Sequence, residues 1–120
     1  MRIDTFGAEA VLVVDGVGPS VTVASLTAAM GEAFDGRASV IAIGVERLEP
    51  GFFELRSGVA GEIVQKLVNY RLRLVVVGEL PAVALASRSF SAFVVEGNRG
   101  QGPWFVRTLA ELGDRMDPAS

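Results

Sequence analysis

The sequence predicts a single α/β domain with a five-stranded, mostly parallel mixed sheet, helices on both faces and the element order ββαβαβαβα. Short runs of consecutive apolar residues, such as residues 74–77, are typical of strands covered on both sides. Amphipathic stretches with helical spacing alternate with these runs, which is typical of a parallel sheet. Half of the 120 residues are hydrophobic, so residues 1–116 suffice for one core, and residues 117–120 are predicted to be a frayed tail.

The first predicted elements are a hairpin, a helix and a third strand. Arg2–Phe6 and residues 10–14 form the hairpin, with the turn at residues 7–8. The second of these strands is continuously apolar and is therefore expected to be buried. A helix runs from residue 20, just after a proline, to about residue 33, where the helical apolar spacing ends. The third strand covers residues 39–43.

The central helix has two possible starts. Pro50 is suited to the first turn of a helix, and this gives the earlier start. Alternatively, Ser57 is the N-cap and residues 51–56 are irregular. We favour the earlier start.

The C-terminal half completes the alternation of strands and helices. Ser87 is suited to cap the helix that follows it, and Asn98 or Gly100 is expected to end that helix in a left-handed conformation. The last four elements are predicted at Arg73–Val77 (strand), residues 87–96 (helix), residues 103–107 (strand) and Leu109–Met116 (helix).

Six residues are predicted to be almost completely buried. Each lies on the inward stripe of a helix or in a covered strand, where side chains fill the core. They are Val13, Ile43, Ile63, Leu67, Val75 and Phe93.

The composition excludes several classes of function. The net charge of -3 and the scatter of the 11 basic residues argue against a nucleic-acid partner, which requires a basic patch. No apolar run approaches the length that spans a bilayer, so no membrane partner is expected. Without histidine and cysteine the chain has no disulfide, no Ser-His or Cys-His nucleophile and none of the usual zinc ligands. We expect no metal, no cofactor and a cytoplasmic location.

Residues 41–106 resemble a known bacterial family. The segment FFELRSGVAGEIVQKLVNYRLRLVVVGEL, followed by VVEGNRG and WFV, is similar to the family of domain of unknown function 4180. The chain differs from that pattern at Glu79, where aspartate is usual, and at Gly97, where serine is expected. This resemblance implies a family and no activity.

A second resemblance is to the STAS modules, the anti-sigma-factor-antagonist fold. The element order matches, and SGVAG at residues 57–61 is similar to the Ser-Gly-Leu-Gly segment that begins the second helix of those modules. In that group the serine can be phosphorylated to switch partner binding, but here Arg56 precedes it, where aspartate or serine is usual. The resemblance therefore implies a STAS-like topology.

The central helix carries the candidate partner-binding residues. Amides and small residues stand on its polar face where a solvated helix would carry more charge, and the chain's one lysine lies among them. The simpler interpretations are a Glu62–Lys66 pair on a solvated face and Ser57 as an N-cap; the alternative for Ser57 is a phosphoacceptor or an anion contact. The candidates are Ser57, Gly58, Glu62, Gln65, Lys66 and Asn69.

A second set of polar residues is a possible ligand or loop site. Three acids follow strands and are expected to meet at the carboxyl edge of the sheet, where they either hold Mg²⁺ or are simply solvated. Three more residues belong to the segment EGNRG, which is either a helix C-terminus or a polar loop that meets a ligand. The set comprises Asp15, Glu46, Glu79, Glu96, Asn98 and Arg99.

These observations predict a non-enzymatic binding or regulatory module. It would act through the surface of the helix between Ser57 and Asn69, with a protein partner or a second copy of itself. The alternative is a small enzyme or small-ligand sensor that uses Glu62 and Lys66, or the acids at the strand ends. A concave pocket gathering these groups favours the alternative, whereas a convex helix face with exposed apolar residues favours docking.

Overall fold

The sheet has five strands whose spatial order follows their order in the chain. The computed structural model describes residues 1–100 and 102–116, so the predicted tail at residues 117–120 lies outside the described residues. The first strand pairs with the second antiparallel, and the other three pairings are parallel. The strands are β1 (Arg2–Phe6), β2 (Glu9–Val14), β3 (Val40–Gly44), β4 (Arg73–Val77) and β5 (Trp104–Val106).

Five α-helices connect and follow the parallel strands. A four-residue helix after β4 was not predicted from the sequence. None of the helices in residues 1–100 and 102–116 has the length and apolar character needed to cross a membrane. The helices are α1 (Leu26–Asp35), α2 (Val59–Asn69), α3 (Ala82–Leu85), α4 (Arg88–Arg99) and α5 (Leu109–Met116), and short 3₁₀ turns occupy Val45–Arg47, Pro50–Phe53 and Leu55–Ser57.

The helices cover the two faces of the sheet unequally. Connections between parallel neighbours are right-handed, so a sheet whose strands follow chain order keeps its connecting helices on one face. Residues of α1, α2, α3 and α4 accordingly share one core cluster with Leu12, Ile41 and Val76 of the strands. Leu112 of α5 belongs to the opposite cluster with Val13 and the alternate strand residues. The prediction of helices on both faces is confirmed, with α5 the helix on the second face among the described residues.

The first helix begins later than predicted. The chain from residue 15 to 19 is held by Arg47, whose guanidinium donates to the carbonyl oxygens of Asp15, Val17 and Pro19. Val21 is buried and forms a parallel bridge to Leu48. Residue 21 therefore belongs to an extended segment, and α1 begins at Leu26.

The earlier start predicted for the central helix is wrong. Two 3₁₀ turns replace its first two turns, because Phe52 and Phe53 are both drawn into the core. Gly58 then takes a left-handed conformation with φ +82°, which a residue with a side chain adopts only at a cost. The chain changes direction there, and α2 begins at Val59.

The predicted left-handed stop of α4 is also wrong. The helix continues through Arg99, with Asn98 inside its last turn, and Gly100 has φ −113°. Ser87 caps the helix as predicted, since its Oγ accepts from the Phe90 N–H at 3.1 Å. Left-handed residues instead follow the other two long helices, at Arg37 and Arg71, each two residues after the last residue of α1 or α2.

Five of the six predicted core residues are at most 3% exposed, and Phe93 is half-buried. Its ring lies at the edge of the aromatic cluster, 5.7 Å from that of Phe90 and 5.9 Å from that of Phe105. Phe90 occupies the centre of this cluster, so it takes the fully buried position that was predicted for Phe93. Arg73–Val77 is confirmed as a buried interior strand between β3 and β5.

Candidate functional site

The exposed face of α2 carries a stripe of three uncharged polar or small residues. Gly61, Gln65 and Asn69 are spaced four residues apart, so they lie on one side of the helix, and all three are exposed. The Gln65 Nε2 donates to the Asn69 Oδ1 at 2.8 Å. The Gln65 Oε1 and the Asn69 Nδ2 form no hydrogen bond with the residues that the structure describes. We call these three residues the amide stripe.

Gly61 has no packing partner among the described residues. A Cβ added there would meet nothing within 4 Å, apart from the backbone of its own helix and its chain neighbours. Glycine inside a helix costs about 0.5–1 kcal/mol relative to alanine. No contact of Gly61 in the part of the chain that the structure describes explains this cost, whereas the close approach of another molecule would.

Lys66 is committed to a contact within the chain. Its Nζ donates to Thr27 Oγ1 at 3.0 Å and to the Val23 carbonyl oxygen at 3.3 Å. The side chain is half-buried and ties α2 to the start of α1. Among the described residues it forms no ion pair with Glu62, which is exposed beside the amide stripe.

Ser57 and Gly58 build the start of α2. The Ser57 Oγ accepts from the Val59 N–H at 3.2 Å and donates to the Gly51 carbonyl oxygen at 2.5 Å. Gly58 is the N-cap of α2, so the interpretation of Ser57 as the N-cap is wrong by one residue. The Ser57 hydroxyl nevertheless satisfies the Val59 N–H, one of the unpaired groups of the first turn. Gly58 supplies the left-handed residue before the helix.

Exposed apolar side chains border the amide stripe. Val68 is 57% exposed, and Tyr70 is 56% exposed at the end of α2. The Tyr70 ring packs edge-on against Phe34 of α1, with 5.9 Å between the ring centres.

Five surface clefts are described in this structure, and none is lined by Glu62, Gln65, Lys66 or Asn69. Val68 and Val64 line one of these clefts, so the polar residues of α2 lie beside a shallow depression and not within one. The face of α2 is a surface of mixed polarity.

Two of the three strand-end acids line a common cleft. Asp15 and Glu46 border a cavity of about 280 Å³ at the carboxyl edge of the sheet. Asp15 accepts from the Val17 N–H at 3.4 Å and lies 3.7 Å from the Arg47 guanidinium. The glycine at position 44 is explained by packing within the chain, because a Cβ on it would lie 3.1 Å from the backbone of Gly16.

Glu79 lines a different cleft from the other two acids. That cleft has a volume of about 310 Å³ and lies between the ends of β4 and β5. In the described part of the chain, no group of three acidic residues is arranged to hold a metal ion. The magnesium alternative for the three acids is therefore not supported.

Glu96, Asn98 and Arg99 lie at the opposite end of the sheet from these acids. Asn98 has a structural contact: its Oδ1 accepts from the Phe105 N–H at 2.8 Å, and its carbonyl oxygen accepts from the Arg115 guanidinium. Glu96 and Arg99 are exposed. The second set of candidates is thus divided between two distant edges.

Trp104 is flanked by two guanidinium groups. Arg73 lies 4.2 Å and Arg115 3.9 Å from the centre of the indole ring, and the indole N–H donates to the Gly100 carbonyl oxygen at 2.9 Å. Burial lowers the pKa of Arg115, and the charge of Arg73 lowers it further, whereas Glu111 opposes the shift. These contacts give Trp104 a packing role at the edge strand.

Sequence reasoning missed Arg47 and Arg107, because the residues that surround them in the fold lie far away along the chain. Arg47 follows β3 in a short turn, and no sequence pattern indicates that its three acceptors are 28 to 32 residues away. Arg107 was placed inside the predicted strand at residues 103–107, whereas β5 ends at Val106 and Arg107 follows it, as the three acids follow their strands. Arg107 lines the cleft that contains Glu79.

Comparison with known proteins identifies one family. The model of the family described as "Domain of unknown function (DUF4180)" matches residues 7–116, which is most of the chain. No curated protein matches the sequence, and no solved structure matches it.

Proposed function

The chain belongs to the DUF4180 family, and from this premise and the geometry of α2 we propose that it is a non-enzymatic protein-binding module. The family description carries no activity, so the proposal rests on the surface itself. The observation that carries the proposal is the amide stripe, which is exposed and uncharged and whose Gly61 has open space beside it among the described residues. A cytoplasmic location in a bacterium is part of the same proposal.

The occupant to which we commit is a second copy of this chain. A twofold contact brings a surface patch against itself, so the patch must be self-complementary. The Gln65–Asn69 bond leaves the Gln65 Oε1 acceptor and the Asn69 Nδ2 donors without a partner among the described residues, and a second copy presents the reciprocal donors and acceptor. The pair has no net charge, so two stripes do not repel each other. Gly61 gives the facing helix room for close approach.

The apolar residues beside the stripe support the same proposal. Val68 and Tyr70 are more than half exposed, and burying such side chains is the main favourable term in protein association. Lys66 is outside this surface because it binds Thr27 and Val23 within the chain. Ser57 and Gly58 support the start of α2 and would contribute indirectly.

A test uses two glycine variants with the same effect on helix stability. Gly61→Ala should raise the free energy of unfolding by about 0.5–1 kcal/mol, because alanine is the better helix former. The same variant should weaken self-association at least tenfold, because the added methyl group stands where the second copy approaches. Analytical ultracentrifugation across a concentration series measures the association, and chemical denaturation measures the stability.

Gly31→Ala is the matched control on α1. A Cβ at Gly31 also meets nothing within 4 Å, so this variant should be stabilised similarly and should associate like the wild type. A wild type that stays monomeric at millimolar concentration contradicts self-association through α2. Equal association of the wild type and Gly61→Ala contradicts it as well.

A small-ligand sensor or small enzyme is the second candidate function. The observation that favours it is the cleft at the carboxyl edge, where Asp15 and Glu46 border a cavity of about 280 Å³. The glycines there are needed for the packing of the loops, and Asp15 is already paired with Arg47. This cleft therefore supports a function less strongly than the amide stripe does.

A further inference from the structure

The topology creates a crevice between the carboxyl ends of β4 and β5. The segment after β4 leads to α3 and α4 on the face covered by most helices, whereas the segment after β5 leads to α5 on the opposite face. Two neighbouring parallel strands whose connections diverge in this way form a topological switch point, where open α/β sheets bind their ligands. The cleft of about 310 Å³ lies at this point.

The walls of this switch-point cleft are apolar. Leu80, Val94 and Phe105 line its interior side, and Leu85 lies at its mouth with 67% of its surface exposed. An apolar molecule bound in the cleft would cover the exposed surface of Leu85. The volume is at the lower end of the range for ligand pockets, so it suits one small molecule.

The rim of the cleft carries one free negative and one free positive charge. The side chains of Glu79 and Arg107 are exposed and make no hydrogen bond or ion pair with the described residues. Glu111, the other acid of the rim, already accepts from the Arg107 backbone N–H at 3.0 Å and so supports the start of α5. One carboxylate and one guanidinium are therefore left for a ligand.

We propose that the switch-point cleft binds a small zwitterion of the amino-acid type with an apolar side chain. Arg107 binds the ligand carboxylate, since a guanidinium matches its two oxygens. Glu79 binds the ammonium group, and the apolar walls receive the side chain. This site is separate from the amide stripe and does not depend on self-association.

The test compares leucine with two analogues that each lack one charge. Leucinol keeps the ammonium group without the carboxylate, and 4-methylpentanoate keeps the carboxylate without the ammonium group. The backbone N–H of Gly78, which donates to the Val106 carbonyl oxygen at 2.9 Å, reports on the cleft in ¹⁵N NMR titrations. Leucine should shift this resonance and bind at least tenfold more tightly than either analogue.

Two variants assign the charges to the residues. Arg107→Gln should reduce the affinity for leucine to that for leucinol, and Glu79→Gln should reduce it to that for 4-methylpentanoate. Arg88→Gln and Glu96→Gln make the same charge changes at exposed positions of α4 outside the cleft, and they should bind leucine like the wild type.

Three outcomes would overturn the proposal. In the first, neither leucine nor phenylalanine shifts the Gly78 resonance at millimolar concentration. In the second, the analogues bind as tightly as leucine, so that the charges are not used. In the third, Arg107→Gln and Arg88→Gln have the same effect, which would assign binding to the net charge of the protein.

Discussion

At the scale of single residues, Gly97 shows how closely α4 approaches the last strand. A Cβ at this position would overlap the Pro103 carbonyl oxygen, a contact that no side chain tolerates. The contact is with backbone, so it cannot be relieved by rotating a neighbouring side chain. Gly97 therefore allows α4 to lie against the segment that leads into β5.

We expect Gly97→Ala to destabilise the fold by about 1–3 kcal/mol, the usual cost of overpacking a tight contact. Alanine is the better helix former, so the measured loss is the net of these two effects. Gly100→Ala is the control, because its Cβ would meet only the Glu96 carbonyl oxygen at an ordinary 3.6 Å. Urea denaturation of both variants checks the prediction, and equal midpoints would contradict it.

At the scale of elements, the helices end in two different ways. After α1 and α2 the chain takes one left-handed residue, and the next N–H closes a bond to a carbonyl five residues earlier: Ala38 to Ala33 and Leu72 to Leu67. Arginine occupies the left-handed position in both cases, where its charge complements the helix dipole. The helix α4 ends instead with a side chain, Asn98, which bonds to the next strand.

Removing the Asn98 side chain should loosen the junction between α4 and β5. Asn98→Ala leaves the half-buried Phe105 N–H without its acceptor, and an unpaired group of this kind costs about 1–3 kcal/mol. Hydrogen exchange of the Phe105 amide should accelerate more than the change in global stability explains. Glu96→Ala, an exposed change in the same helix, should stay within about 0.5 kcal/mol of the wild type. An unaltered Phe105 exchange rate would show that the bond is dispensable.

At the scale of the whole molecule, the two faces of the sheet are covered by different numbers of helices. One face is covered by α1, α2, α3 and α4, and the other face is covered, within residues 1–100 and 102–116, by the eight residues of α5. Leu112 is the fully buried residue of that helix and contacts the cluster that includes Val13 and Val75. The burial of the second face of the sheet thus depends on few side chains.

Leu112→Ala should cost about 2–5 kcal/mol, the range for a large-to-small change in a core. The loss should exceed that of Leu85→Ala, which removes the same atoms from a side chain that is 67% exposed. Thermal unfolding followed by circular dichroism measures both. Equal melting temperatures for the two variants would mean that α5 is not needed to cover this face.

The candidate site was only partly accessible from the sequence. Helical spacing indicated that Glu62, Gln65 and Asn69 share an exposed face, because that relation depends only on the geometry of one helix. The same spacing included Lys66, which the fold instead directs to Thr27, 39 residues away. Arg107 and Glu79 share a cleft only because two distant strands are neighbours in the sheet.

The sequence by itself determined the α/β class, the order of the five strands and the four longer helices, and the interior position of β4, since apolar periodicity is a local property that each segment carries. Only the tertiary structure decided where α1 and α2 begin and which side chains are free to bind. Val21, Phe52 and Phe53 are drawn into extended or 3₁₀ segments by partners far along the chain. Burial of these side chains outweighs the weak local preference for helix, because helix propensities differ by less than about 1 kcal/mol per residue among ordinary amino acids.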